Sequence, residues 1–204
     1  MAMTEPRNDN SPGRQETPAS AAAAPKTLPA CYWFVLRDLK RANAKMPAYR
    51  QLSESCGLQV FIPMQWCLTQ KKGQKIREEV PFIRDLLFVR STREALDPIV
   101  ERIRTLQYRY VKGGGYCQPL VVRDDDMDRF IAAVAASHAP EYYLPSEITP
   151  GMIGKRVRII GGPLNGHEGN LLSIRGLHKK KLLVDLPGLL AVSVEVSPDY
   201  LQLL

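Results

Sequence analysis

A string of sixteen residues punctuated by glycine, residues 154–169, constrains the fold of this chain more than any other feature. Its apolar residues alternate with charged ones, which predicts a strand with one face in a core, and its Gly-Pro step predicts a tight turn. The glycines beyond the turn give the backbone freedom where a second strand begins. The residues of this pattern are Val157, Ile159, Gly162, Pro163, Gly166, Glu168 and Gly169.

The rest of the C-terminal segment, residues 151–204, continues in the same style. Short runs of strand-forming residues recur, for example at 182–184 and 192–196, and Gly and Pro turns separate them. No helical period is present. About five short strands in a segment of this size predict a small SH3-like β-barrel.

The preceding part of the chain alternates between strand and helix patterns. The apolar run at residues 32–36 predicts a buried central strand. Further strands are expected at residues 58–62, 64–70, 83–90 and 108–111, with a cationic hairpin tip at residues 71–75. Helices are expected at residues 48–56, 92–104 and 124–134. This order predicts an α+β sandwich in which helices cover an antiparallel sheet.

Local signals mark where the predicted helices begin and end. Pro47 suits the first turn of the first helix, and Gly57 suits its end. Asp97 before Pro98 suggests that the regular part of the second helix begins there, with Asp97 as its cap. The three carboxylates at residues 124–126 lie where the N-terminus of the third helix favours negative charge.

Composition divides the chain into four segments. Residues 1–29 are rich in Pro, Ala, Ser, Asn and Gln, and we expect a disordered tail because such a segment buries too little apolar surface. Residues 138–150 contain Pro140, Pro145 and Pro150 and predict a short, stiff linker. The expected domains are therefore residues 30–137 and residues 151–204.

The sequence offers no arrangement typical of an enzyme or a metal site. The four cysteines are far apart, and the histidines do not join them at zinc-finger spacing. Adjacent carboxylates at residues 124–126 point in different directions, which favours a helix end over a metal or acid/base cluster. We expect no catalytic residue, no metal and no cofactor, and a small catalytic domain is the least favoured alternative.

Membrane attachment is not expected either. No run approaches the ~20 apolar residues that span a bilayer. The first residues also lack the apolar core of a signal peptide. We expect a cytoplasmic monomer.

The net charge of +7 is unevenly distributed. Residues 30–119 carry sixteen basic and eight acidic groups, whereas residues 120–150 carry two basic and six acidic ones. A basic body interrupted by an acidic stretch suggests a polyanion such as nucleic acid as a partner. Solubility alone explains the charge nearly as well.

The glycine-punctuated string resembles the KOW motif, and landmarks in the front half resemble the N-terminal domain of the NusG family. These landmarks are residues 33–36, 60–63, 80–83 and 86–89. Over residues 31–204 the chain is identified as a NusG-type transcription elongation and antitermination factor, nearest to the RfaH-like paralogues of capsular polysaccharide loci. It departs from housekeeping NusG at residues 84–86, where Arg-Asp-Leu replaces Pro-Gly-Tyr.

The resemblance implies that the front domain binds the clamp helices of the largest subunit of RNA polymerase and suppresses pausing or termination, at specific operons such as polysaccharide loci. The matching docking positions are Trp66, Phe82, Ile83 and Leu86. Ordinary core packing remains the alternative for these side chains, since about half of the residues of a strand face inward.

Two basic groups are candidates for binding nucleic acid. The hairpin group consists of Lys71, Lys72, Lys75 and Arg77. The first-helix group consists of Lys40, Arg41, Lys45 and Arg50. The resemblance implies that the first-helix group reads the exposed DNA strand, and a solvated basic surface is the alternative.

For the KOW domain, the resemblance implies recruitment of a ribosomal protein or a termination factor. Residues 179–181, three lysines, could contact nascent RNA or simply keep a turn soluble. Dense strand-type runs predict that this domain does not refold into helices. The alternative function is a KOW-containing ribosome-associated RNA-binding protein, and the front domain argues against it.

Overall fold

The computed structural model describes residues 31–40, 46–71, 73–173 and 179–204. The expected N-terminal tail lies outside these residues, as do Arg41, Lys45 and Lys72. The side chain of Lys71 is also outside the description.

The front domain combines short helices with an antiparallel sheet, as the sequence predicts. Its strands are β1 (Tyr32–Asp38), β2 (Gln59–Phe61), β3 (Met64–Lys71), β4 (Gln74–Pro81), β5 (Leu86–Ser91), β6 (Leu106–Tyr108) and β7 (Val121–Val122). Its helices are α1 (Ala48–Arg50, continued by a π-helical turn at Gln51–Ser55), α2 (Arg93–Arg102) and α3 (Asp124–Ala136). The main sheet has the order β2-β5-β1-β6, with β7 also paired to β1, while β3 and β4 form a separate hairpin.

The central strands β1 and β5 are buried on both faces, which confirms the predicted central strand. Phe34 and Leu36 on β1 share a core with α1 and α2, and their neighbours Trp33 and Val35 point to the opposite core, which contains α3. Burial on both sides explains why the sequence of β1 is an uninterrupted apolar run rather than an alternating one.

The ends of the first two helices differ from the prediction. Pro47 occupies the cap position of α1 rather than its first turn, and the Asp38 carboxylate accepts a 2.8 Å hydrogen bond from the Ala48 amide. The cap of α2 is Thr92, whose hydroxyl accepts from the Ala95 amide at 3.2 Å, so the expectation for Asp97 was wrong. The carboxylate of Asp97 is instead an acceptor for the Tyr108 hydroxyl at 2.8 Å.

Two further differences concern the strands of the front domain. Residues 74–81, expected only as the end of a hairpin tip and a connection, form the full strand β4. The strand expected from residue 83 begins at Leu86, because residues 83–85 form a turn closed by a 3.2 Å hydrogen bond from the Leu86 amide to the Ile83 carbonyl.

The back domain is a six-stranded antiparallel sheet. Its strands are β8 (Glu141–Tyr143), β9 (Ile153–Ile159), β10 (Glu168–Leu172), β11 (Lys181–Leu186), β12 (Leu190–Glu195) and β13 (Leu201–Leu203). Their order is β13-β9-β10-β11-β12-β8. The five strands after residue 150 match the predicted number, and β8 is an addition that comes from the expected linker.

The two domains share one hydrophobic cluster. Helix α3 packs on β11 and β12, so Met127 and Phe130 lie in the same core as Val184 and Val192. The Tyr142 ring from β8 joins this cluster and is 7% exposed. Among the described residues, no helix is long and apolar enough to cross a membrane.

Candidate docking and nucleic-acid surfaces

The turn between β4 and β5 brings three of the four expected docking residues together. Phe82 and Ile83 are half-buried and pack against the shared cluster, and Leu86 lies beneath them with 2% of its surface exposed. The Phe82 ring stacks on Tyr142 with 5.3 Å between centroids. In this arrangement the apolar surface of the turn is partly covered by the chain itself.

Asp85 holds this turn against the sheet, a role that sequence reasoning missed. Its carboxylate accepts hydrogen bonds from Arg37 at 3.2 Å and from Arg109 at 3.3 Å, and its carbonyl accepts from the Asp38 amide at 3.0 Å. The departure at residues 84–86 was visible in the sequence. Its arginine partners were not, because they lie on β1 and just after β6.

Trp66, the fourth expected docking residue, lies elsewhere. It sits on β3 with 51% of its surface exposed, and the Arg77 guanidinium carbon lies 4.8 Å from the centre of its ring. The structure thus places Trp66 beside a member of the hairpin group rather than in the turn at residues 82–86.

The described members of the first-helix group border an open cleft of about 840 Å³ between α1 and the hairpin. The Lys40 ammonium donates to the Met46 carbonyl at 2.9 Å and to the Gln51 side-chain oxygen at 3.4 Å. Arg50 is exposed in the last turn of α1. Charged residues of both signs line this cleft: Asp38, Lys40, Arg50, Glu78, Glu79, Arg84 and Asp85.

The KOW-type string adopts the predicted strand and turn. Val157 is fully buried and Ile159 is 3% exposed. Gly162 and Gly166 have φ values of +67° and +82°, which side chains on an L-residue disfavour. A Cβ on Gly169 would lie 2.6 Å from the Leu183 carbonyl oxygen, so this glycine permits close approach of β10 and β11. Pro163 lies within the same turn.

Glu168 is the charged centre of this string. Its carboxylate accepts hydrogen bonds from Arg158 at 2.9 Å and from Arg156 at 3.2 Å. The bond from Arg158 is the main reason why the pKa of Glu168 lies below its ordinary value. The three residues lie on paired strands, so Glu168 orders the exposed face of β9.

The expected linker contains β8, whose Tyr142 stacks on Phe82 of the front domain while its Glu141 is bound within the back sheet. Glu141 accepts from the Lys181 ammonium at 2.6 Å, and this hydrogen bond is the first cause of its lowered pKa. Burial raises the pKa of Tyr142 to about 12. The adjacent tyrosines at residues 142–143 were a readable sign of a short edge strand, but the surrounding prolines favoured a linker.

The acidic start of α3 forms ion pairs. Asp124 pairs with Arg90 at 3.0 Å, and Asp126 pairs with Arg123 at 3.1 Å and also with Arg129. Across the part of the chain that the structure describes, no three His, Cys, Asp or Glu side chains are grouped to hold a metal ion. All four cysteines are free thiols.

Residues 31–131 match the sequence profile of the NusG family, described as transcription termination factor nusG. This part of the chain is therefore a NusG-family domain. The chain thus carries the domain of a family of transcription factors whose members bind RNA polymerase. The match covers most of the front domain and leaves the back domain unmatched.

Among solved structures, the chain is similar to a NusG from Thermotoga maritima, in a structure that describes domain interaction in that protein. The two share 18% sequence identity, and the alignment covers 85% of this chain and 97% of the other with a TM-score of 0.44. No curated protein sequence gives a significant match.

Proposed function

We propose that this protein is a transcription elongation and antitermination factor that binds RNA polymerase through its front domain and suppresses pausing or termination. The observation that carries the proposal is the NusG-family domain at residues 31–131. Such a factor acts in the cytoplasm without chemistry of its own, because it stabilises one polymerase conformation by binding it more tightly than the others.

The proposed docking site is the turn between β4 and β5. Phe82 and Ile83 supply half-buried apolar surface, and Leu86 supports them from the core. Their proposed partner is the clamp-helix region of the largest polymerase subunit. Because Tyr142 stacks on Phe82, docking on the full apolar surface requires this contact to open.

The first-helix group is the proposed contact to the exposed DNA strand. Two hydrogen bonds hold the Lys40 ammonium in place, so less side-chain freedom is lost on binding. Acidic residues also line the neighbouring cleft, so a nucleic-acid strand is expected to contact the exposed side of α1 rather than enter the cleft. A phosphate contact of this kind is expected to weaken as the salt concentration rises.

The back domain is the proposed recruiting module for a ribosomal protein or a termination factor. Its lysine turn is less suited to nascent RNA, because Lys179 pairs with Glu195 at 2.8 Å and Lys181 with Glu141 at 2.6 Å. Action at specific operons, such as polysaccharide loci, is supported by the departure at residues 84–86. Genome-wide mapping of the bound protein separates a locus-specific factor from a general one.

The test is retention of purified RNA polymerase by the full chain, followed by transcription through a terminator. Ile83→Asp places a charge in the docking surface, and we expect at least about tenfold weaker retention and loss of terminator read-through. Leu203→Asp is the matched control, since Leu203 is 61% exposed on β13 and far along the chain from the turn. Far-UV circular dichroism verifies that both variants fold.

Two results would contradict the proposed docking site. If the wild-type chain does not retain polymerase, or if Ile83→Asp and Leu203→Asp behave alike, the turn is not the docking site.

A further inference from the structure

The hairpin of β3 and β4 exposes one face that nothing in the docking proposal uses. From Gln65 to Gln70 on β3, half-buried and exposed residues alternate, so Trp66, Leu68 and Gln70 share the outward face. Their cross-strand partners on β4 are Glu79, Arg77 and Lys75. We call Trp66, Leu68, Lys75 and Arg77 the hairpin platform.

The centre of this platform is an aromatic ring stacked with a cation. The Arg77 guanidinium lies 4.8 Å from the centre of the Trp66 ring, while half of the Trp66 surface stays exposed. Leu68, beside them, is 75% exposed. A planar π-system that is fixed by a guanidinium and open to solvent is the arrangement on which nucleobases stack.

The charge distribution selects an anionic occupant for this apolar surface. Residues 70–77 carry four basic residues and no acidic one. The Glu79 carboxylate lies on the strand opposite Trp66, so the basic part of the platform is the part toward the tip. Lys75 and Arg77 are exposed on the platform side. A ligand with phosphates toward the tip and a flat apolar group over Trp66 therefore matches both charge and shape.

We propose that the hairpin platform binds single-stranded nucleic acid, with one base stacked on Trp66 and the adjoining phosphates beside Arg77 and Lys75. The inference rests on the proposed function, which brings the hairpin near strands that are unpaired during transcription. It also reassigns Trp66 from polymerase docking to nucleic-acid contact. Duplex DNA does not fit, because its bases are already stacked on one another.

The experiment measures binding of the full chain to fluorescent oligonucleotides of about fifteen nucleotides. Separate arms use single-stranded DNA, single-stranded RNA and duplex DNA. We expect Trp66→Ala to weaken single-strand binding by about tenfold and Trp66→Phe to restore most of it, since a phenyl ring still stacks. Tyr116→Ala is the aromatic control, because Tyr116 is fully exposed and lies off the hairpin.

Salt dependence identifies the phosphate contacts. Lys75→Ala should reduce the slope of log Kd against log salt by about 0.7, the value for one phosphate contact to a single strand. Lys155→Ala, which removes an exposed lysine from β9, should leave the slope unchanged. The oligonucleotide that binds more tightly, single-stranded DNA or single-stranded RNA, identifies whether the platform contacts DNA or RNA.

Polymerase retention by the same variants separates this inference from the proposed function. Retention by Trp66→Ala equal to wild type, together with weakened oligonucleotide binding, supports the platform. Loss of polymerase retention with unchanged oligonucleotide binding overturns it in favour of a protein-binding face. Equal oligonucleotide binding by Trp66→Ala and Tyr116→Ala overturns it as well, and leaves docking through the turn intact.

Discussion

Glycines in this protein are required for two different reasons: some have a positive φ, and others leave room for a neighbouring strand. Gly162 and Gly166 occupy the left-handed region, whereas Gly169 is required because β11 lies directly against it. The two requirements were predicted together, as backbone freedom, from the spacing of residues 154–169. The structure distinguishes them, because it places Leu182 and Leu183 next to Gly169. The sequence could not, since it does not show which strands are neighbours.

Gly169→Ala should destabilise the back domain by about 1–3 kcal/mol, because a new Cβ would lie 2.6 Å from the Leu183 carbonyl oxygen and 3.0 Å from a Leu182 methyl carbon. Urea unfolding of the full chain measures the change. Gly151→Ala is the control, because no atom lies within 4 Å of its added Cβ. Equal midpoints for the two variants would contradict the close approach.

At the scale of elements, strands with an apolar pattern were predicted correctly, whereas strands with a polar sequence were not. Strand β1 has a continuous apolar run and was predicted, whereas β4 reads Gln-Lys-Ile-Arg-Glu-Glu-Val-Pro and is defined by its pairing with β3. Strand β8 was hidden between prolines. The turn proposed for docking could be located from residues 80–83. The hairpin tip at residues 71–75 was also predicted, but the polar sequence of its returning strand β4 concealed where Trp66 lies relative to that turn.

Thr92 offers a clean test of what a side-chain cap contributes to α2. Thr92→Ala removes the acceptor for the Ala95 amide and should lower the free energy of unfolding by about 1 kcal/mol. Thr149→Ala is a matched control: Thr149 precedes a short 3₁₀ turn with φ −90° and ψ 154°, close to the −90° and 156° of Thr92, but its side chain makes no cap hydrogen bond. Thermal unfolding should shift for Thr92→Ala alone, and a shift of equal size in both variants would refute the assignment of the cap.

At the scale of the whole molecule, the two domains are held together by the packing of α3 on β11 and β12, and a few rings from β8 and its neighbours add to this contact. Tyr142 stacks on Phe82 at 5.3 Å and lies 6.4 Å from Phe130 between ring centroids. Its neighbour Glu141 is fixed to Lys181. The Tyr142 contact covers part of the turn between β4 and β5. Under the docking site proposed above, the domain arrangement and polymerase binding would therefore be linked by the same side chains.

Tyr142→Ala should therefore loosen the domain contact and raise the affinity for polymerase, because Phe82 loses the ring that covers it. We expect faster hydrogen exchange in β8 and in residues 190–195, with protection of β1 and β5 retained. Tyr116→Ala should change neither quantity, since Tyr116 is fully exposed. Unchanged exchange in β8 for Tyr142→Ala would show that the ring does not hold the domains together.

If α3 separates from β11 and β12, the pairing of strand β8 determines how far the back domain can move away. With β8 paired to β12, only residues 137–140 connect α3 to the second sheet, and four extended residues reach about 14 Å. When β8 detaches, the connection lengthens to residues 137–152, which reach about 55 Å. The pairing of three residues thus sets the length of the connection between the domains. Under the proposed function, a protein bound to the back domain would lie close to the polymerase when β8 is paired and could move farther from it when β8 is detached.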